Sequence, residues 1–157
     1  MLLATSLACL PCVVGATSPF GRLFAGEAPS GLGLSAGRLA DCPARPNCVS
    51  STAADPEHFV DPLRHAGAAT AAMLLLVEVV RREPGAAVVT QRPDYLCAEF
   101  ASAVFGFVDD VEFHAAGDGR IDVRSASRLG YSDLGANRRR VEKLRAAFTA
   151  AGGARQP

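Results

Sequence analysis

An excess of charge of either sign is missing from this 157-residue chain, in which 16 Lys and Arg stand against 16 Asp and Glu. Nothing global therefore draws it to nucleic acid or to an anionic membrane surface. Histidine is scarce, with His58, His65 and His114 as the whole supply. None lies in the serine-rich stretch Ser125 to Ser132, where a nucleophile would need a base within hydrogen-bond reach. A G-x-S-x-G elbow, a phosphate loop, a dinucleotide fingerprint and an H-E-x-x-H helix are all missing too. Asp109 and Asp110 are adjacent, and neighbours on a strand point to opposite faces, so they do not form a shared acid/base pair. The expectation is a binding protein rather than an enzyme, with no catalytic residue, no metal and no cofactor. Lysine is down to Lys143, with arginine supplying the other bases, and no functional meaning is drawn from that.

A long apolar run is missing as well. Residues 1 to 16, MLLATSLACLPCVVGA, are apolar and uncharged but fall short of the ~20 residues that a membrane-spanning helix needs. They read as a signal-like leader with a cleavage point after Ala16, although a basic n-region is lacking and Pro11 interrupts the run. A retained anchor, or the second half of a bipartite organellar signal, is the alternative. Residues 17 to 40 are rich in Gly, Ser and Pro and read as a linker or extended arm. The length that remains suits a single domain, residues 41 to 150, followed by a disordered tail, 151 to 157.

What is present begins with Cys42 and Cys48 in CPARPNCVSS, five residues and two prolines apart. Their loop is short and stiff, and a Cys42–Cys48 disulfide in an oxidising compartment is the favoured reading. Zinc and a redox-active dithiol are disfavoured, because neither a C-x2-C spacing nor a second Cys/His pair is found. Cys97 lies in an apolar run and reads as a buried thiol.

Secondary structure follows from periodicity. Ala68 to Arg82 carries strong helix formers, with Ala72, Leu75, Leu76 and Val79 on one stripe, and stops before Pro84-Gly85. Strands are expected over Ala86 to Gln91, Tyr95 to Ala101, Phe107 to His114 and Ile121 to Ser125. A three-residue hairpin loop, Gly117-Asp118-Gly119, sets Phe113 opposite Val123, Glu112 opposite Arg124 and His114 opposite Asp122. Asn137 is the expected N-cap of a last helix whose Val141, Leu144 and Phe148 face inward.

Charge is segregated along the chain. Asp94, Glu99, Asp109, Asp110, Glu112 and Asp118 form a block without a base, whereas Arg120 to Arg145 holds eight bases against three acids. Mutual pairing between adjacent strands and a helix is the plain reading. The sharper one gathers Arg124, Ser125, Ser127, Arg128, Tyr131, Ser132, Asn137 and Arg138 into an anion or small-ligand cradle, with arginine forks and a helix N-terminus as donors. Against it stands a structural role, in which Ser125, Ser127 and Asp133 cap turns while Arg124 and Arg128 pair with Asp110, Glu112 or Asp133.

Taken together, CPARPNCVSS, DDVEF and IDVRSASRLGYSDLGANRRRVEKLR resemble the domain of unknown function 1499 family, small proteins of bacteria and of plant and algal plastids. The resemblance covers about Asp41 to Phe148. It carries no established activity, but it implies an exported or plastid-targeted protein, with the thylakoid lumen as address and the bacterial periplasm or secretion as the alternative. The fold expected from the residues is α+β: helix, four-stranded antiparallel sheet, C-terminal helix, with the Cys/Pro-rich segment packed beside it. The function expected is that of an accessory subunit with protein partners in a membrane-associated, possibly photosynthetic, assembly, the N-terminal segment making peripheral membrane contact. An anion or small-ligand protein is the runner-up, and a hydrolase follows it.

Overall fold

The computed structural model describes residues 24–154. The leader, its cleavage point, the start of the arm and the last three residues lie outside the described residues. In chain order come β1 (Cys48–Ser50), β2 (Leu63–Arg64), α1 (Ala69–Arg81), β3 (Ala86–Gln91), β4 (Tyr95–Ala101), β5 (Val108–Gly117), β6 (Arg120–Ser127) and α2 (Ala136–Ala150). The class is α+β, as the periodicities require.

The four expected strands form an antiparallel meander, but the sheet has six strands, not four. β1 and β2 both pair antiparallel with the outer edge of β6, Val49 opposite Ser125 and Leu63 opposite Ile121. Strands of three and two residues are too short to display alternation. They arise because the backbone groups along the edge of β6 need partners.

The β5–β6 register is the expected one: Glu112 opposite Arg124, Phe113 opposite Val123, His114 opposite Asp122. The turn that achieves it differs. Gly117 pairs with Arg120, so the loop is only Asp118-Gly119, with φ of 51° and 69°. Two positive φ values define a tight primed hairpin turn, and a bulge between Ala115 and Gly117 takes up the extra residue and returns each side chain to its face. Gly119 can be nothing larger, because a Cβ there would lie 2.8 Å from the carbonyl oxygen of His65. His65 N–H in turn donates to Gly119 O at 2.8 Å, fastening the hairpin tip to the chain after β2.

Both faces of the sheet are covered. α1 lies over β3 to β5 and α2 over β6 and β1, with the helices in mutual contact. Leu76, Val80, Leu96, Val111, Phe113, Ile121, Val123, Val141, Leu144 and Phe148 are buried between helices and sheet. The buried stripe of α1 is shifted and wider than expected: Met73, Val77 and Val80 join Ala72, Leu76 and Val79, while Leu75 is only half-buried against the core. On the opposite face, Leu32, Leu34 and Leu39 of the expected arm pack on Tyr95 and Cys97. These three leucines thus give that face of the sheet its apolar cover.

Two terminal features depart from expectation. Gly135, with φ of 77°, occupies the N-cap of α2. The capping carboxylate is Asp133, which accepts from the backbone N–H of Gly135 (2.9 Å) and of Asn137 (2.7 Å). Asn137 sits inside the first turn, fully buried. Past α2, Ala154 N–H donates to Arg64 O at 3.1 Å, so the chain there is fastened to β2.

Candidate functional site

The stretch Arg124-Ser125-Ala126-Ser127-Arg128 continues as strand to Ser127, and strand alternation divides it between the two faces of the sheet. Ser125 and Ser127 turn toward α2; Arg124, Ala126 and Arg128 turn away from it. The cradle residues are therefore placed in two separate networks.

On the helix side everything converges on Asn137. Its side-chain oxygen accepts from Ser125 Oγ (2.5 Å) and from Arg140 Nη1 (2.7 Å). Its Nδ2 donates to Ser127 Oγ (2.9 Å) and to the carbonyl of Asn47 (3.0 Å). Arg140, whose guanidinium lies 5.0 Å above the ring of Phe100, also donates to Asp109 Oδ2 at 2.6 Å. The hydroxyl of Ser125 donates to the Asn137 amide and accepts from Arg140 Nη1 at 3.3 Å, and no histidine or carboxylate takes its proton, so it has no base to make it a nucleophile.

The remaining members are dispersed. Arg138 donates to the carbonyls of Phe59 (2.7 Å) and Glu57 (2.6 Å), clamping the segment before β2. Ser132 Oγ accepts from Leu134 N–H at 3.2 Å, and Tyr131 stands 71 % exposed. His58 is held between Asp55 Oδ1 (2.7 Å) and the carbonyl of Arg45 (3.1 Å). These contacts, the carbonyl first, raise its pKa above the ordinary value.

On the far face a ladder of buried charges crosses β4, β5 and β6. Arg128 holds Asp110 through Nε–Oδ2 (2.8 Å) and Nη2–Oδ1 (2.7 Å) and reaches Glu99 through Nη2 (2.7 Å). The fork with Asp110 is the first cause of a pKa raised above the usual arginine range. Glu112, fully buried, accepts from Tyr95 Oη (2.7 Å), from the N–H of Gly33 (2.7 Å) and from Arg124 Nη1 (3.2 Å). Burial first, then Glu112, drives the Tyr95 hydroxyl well above its ordinary pKa. The same two causes push the Cys97 thiol to about 11, so both groups stay protonated. Of the acidic block, Glu99, Asp109, Asp110 and Glu112 are thus paired with Arg124, Arg128 and Arg140, Arg128 being shared by two of them.

Beside this ladder lies a cavity of about 460 Å³, walled by Asp41, Cys42, Pro43, Arg45 and Pro29 and floored by Arg124, Ala126 and Arg128. Cys42 and Cys48 are joined by a disulfide, as expected, and it closes the loop that forms this wall. No motif in the sequence singles out Arg45, Asn47 or Arg140. For Asn47 the one available signal was its position inside a cysteine-closed loop. Among the described residues no group of His, Cys, Asp and Glu is arranged to hold a metal ion, and no helix is long and apolar enough to cross a membrane.

These features define an α+β domain with an antiparallel sheet between two helices and an N-terminal segment, its polar motifs mostly consumed in cross-strand and helix–strand pairing. The chain belongs to the family described as Protein of unknown function (DUF1499), whose model matches residues 38–148. No curated protein and no solved structure matches it.

Proposed function

We propose that the chain acts by binding, as a non-catalytic accessory subunit docked on a membrane-associated assembly in an exported or lumenal compartment. The thylakoid lumen is its place if that assembly is photosynthetic. The observation that carries this reading is an apolar cluster at one end of the sheet. Phe24, Phe105, Phe107, Leu129 and Leu134 are 39, 51, 41, 44 and 85 % exposed. They are contiguous: the ring of Phe107 lies 5.3 Å from that of Phe24 and 6.0 Å from that of Phe105, and Phe107, Leu129 and Leu134 line one groove of about 350 Å³. Single exposed apolar side chains are ordinary, whereas a contiguous group of large ones marks an interaction surface. Phe24, the first described residue, belongs to the cluster. A Cys42–Cys48 disulfide agrees with an oxidising compartment.

Isolation of the native protein under mild detergent, with identification of what co-purifies, tests the reading. A stoichiometric membrane assembly is expected, and Phe107→Asp with Leu134→Asp should release the subunit without lowering its melting temperature. A lone monomer under those conditions sinks the proposal.

A further inference from the structure

The alternation that separates Arg124 from the serines also leaves it with unspent donors. Arg128, four residues on and on the same face, uses its Nε and Nη2 as a fork that Asp110 fills from within the chain. Arg124 spends Nη1 on Glu112 at 3.2 Å, while its Nε is buried without an acceptor. The residue is only 8 % exposed, and an unpaired guanidinium N–H in such a place is costly to leave so. Asn47 mirrors it. Its Nδ2 donates to Gly130 O at 2.8 Å and its Oδ1 is buried without a donor. Both side chains line the cavity of about 460 Å³ under the disulfide loop, and Ala126 between the two arginines leaves its floor open.

We propose that this cavity binds a small organic monocarboxylate. The Arg124 fork would hold the carboxylate, as its twin on Arg128 holds Asp110, since a guanidinium edge matches two carboxylate oxygens side by side. Arg45, on the rim, adds a second cation. Asn47 Oδ1 takes a hydroxyl or N–H donor next to the carboxylate, and Pro29, Pro43, Ala126 and the Cys42 side of the disulfide receive the apolar body. Charge limits the ligand to one negative group. Asp41 shares the rim, and Glu112, Asp110 and Glu99 lie against the other sides of the two arginines, so a doubly charged phosphate meets stronger repulsion than a monocarboxylate does.

The full chain, disulfide intact, is titrated with lactate, butyrate and benzoate, with inorganic phosphate as the control, while the arginine Nε–H and backbone amide resonances are followed by NMR. Saturable shifts of Arg124 Nε–H and of the Cys42 to Asn47 amides are expected with at least one carboxylate, and weaker ones with phosphate. Arg124→Lys keeps the charge and removes the fork, and should weaken binding by about tenfold or more. Arg45→Ala changes an exposed rim residue only and should weaken it severalfold with the fold intact, which guards against a misfolded Arg124 variant. No saturable shift with any of the three acids, phosphate binding as tight as the best acid, or affinity unaltered by both substitutions would overturn the proposal. Because docking through the Phe107 cluster is read by co-purification, either idea can fail without the other.

Discussion

Arg128 grips Asp110 through two parallel hydrogen bonds, Nε to Oδ2 at 2.8 Å and Nη2 to Oδ1 at 2.7 Å, on a sheet face that the N-terminal segment covers. The arginine side chain is 5 % exposed and the aspartate 2 %. Removing one partner of such a pair leaves a buried charge uncompensated. Arg128→Ala strands Asp110 and takes one partner from Glu99, and should cost about 3–5 kcal/mol, read from the midpoint of urea unfolding. Arg128→Met combined with Asp110→Leu should recover a large part of that loss; if the double variant is no more stable than the single one, the pairing is not what the site depends on.

Asn137 is the hub between α2, β6 and the disulfide loop. Asn137→Ala unties Ser125, Ser127 and the Asn47 carbonyl from the hub at once, and leaves Arg140 with Asp109 and a longer contact to Ser125 Oγ. A loss of roughly 1–3 kcal/mol is expected. Hydrogen exchange should quicken at Ser127 N–H, which donates to the carbonyl of Asn47. Unchanged exchange there would mean that the backbone bond stands without the amide.

Reduction of the Cys42–Cys48 disulfide releases a loop of sequence separation 6. Closing so short a loop restricts the unfolded chain modestly, so Cys42→Ser with Cys48→Ser should lower stability by about 2 kcal/mol. Calorimetry with and without reductant should show the wild-type transition falling to that of the double variant, which itself should not respond.

His58 should titrate above the ordinary histidine value of about 6.5, followed by its ring proton shifts. Its pKa is raised by the Arg45 carbonyl first and by Asp55 next, while that of Asp55 is lowered by the backbone N–H of His58. The histidine's contribution to stability is fully present below about 6.5 and disappears as pH climbs through the raised folded value. The aspartate's contribution runs the other way: present above the usual carboxylate range, it disappears as pH falls through the lowered value. The Asp55–His58 contact should therefore help most between those limits, and a flat stability difference between wild type and His58→Ala from pH 5 to pH 9 would contradict the pairing.

Much of the fold could be read from local pattern. The meander and both helices follow from alternation, helix formers and turn residues that act over a few positions, and the β5–β6 register follows from requiring Phe113 and Val123 to share the inner face. The turn that realises it was not legible, because a two-residue loop with a bulge and a three-residue loop give the same facing pairs. β1 and β2 were not legible either, since pairing with a strand more than fifty positions away defines them. The expected end of the last strand at Ser125 made Ser127 and Arg128 look like loop residues free to turn toward Arg124 and Asn137. Two further residues of strand assign them to opposite faces. The counter-charges of the acidic block could be foreseen in sign, but only the register says which arginine meets which carboxylate.

The two short strands on β6 have a further consequence, for the company this chain keeps with itself. They occupy the outer rim of the sheet in separate stretches, and the opposite rim, β3, is interrupted by a register shift between Val88 and Thr90. Neither rim thus presents a long, regular row of unpaired amides and carbonyls onto which another strand could template. At high local concentration, copies of this protein should resist edge-to-edge aggregation.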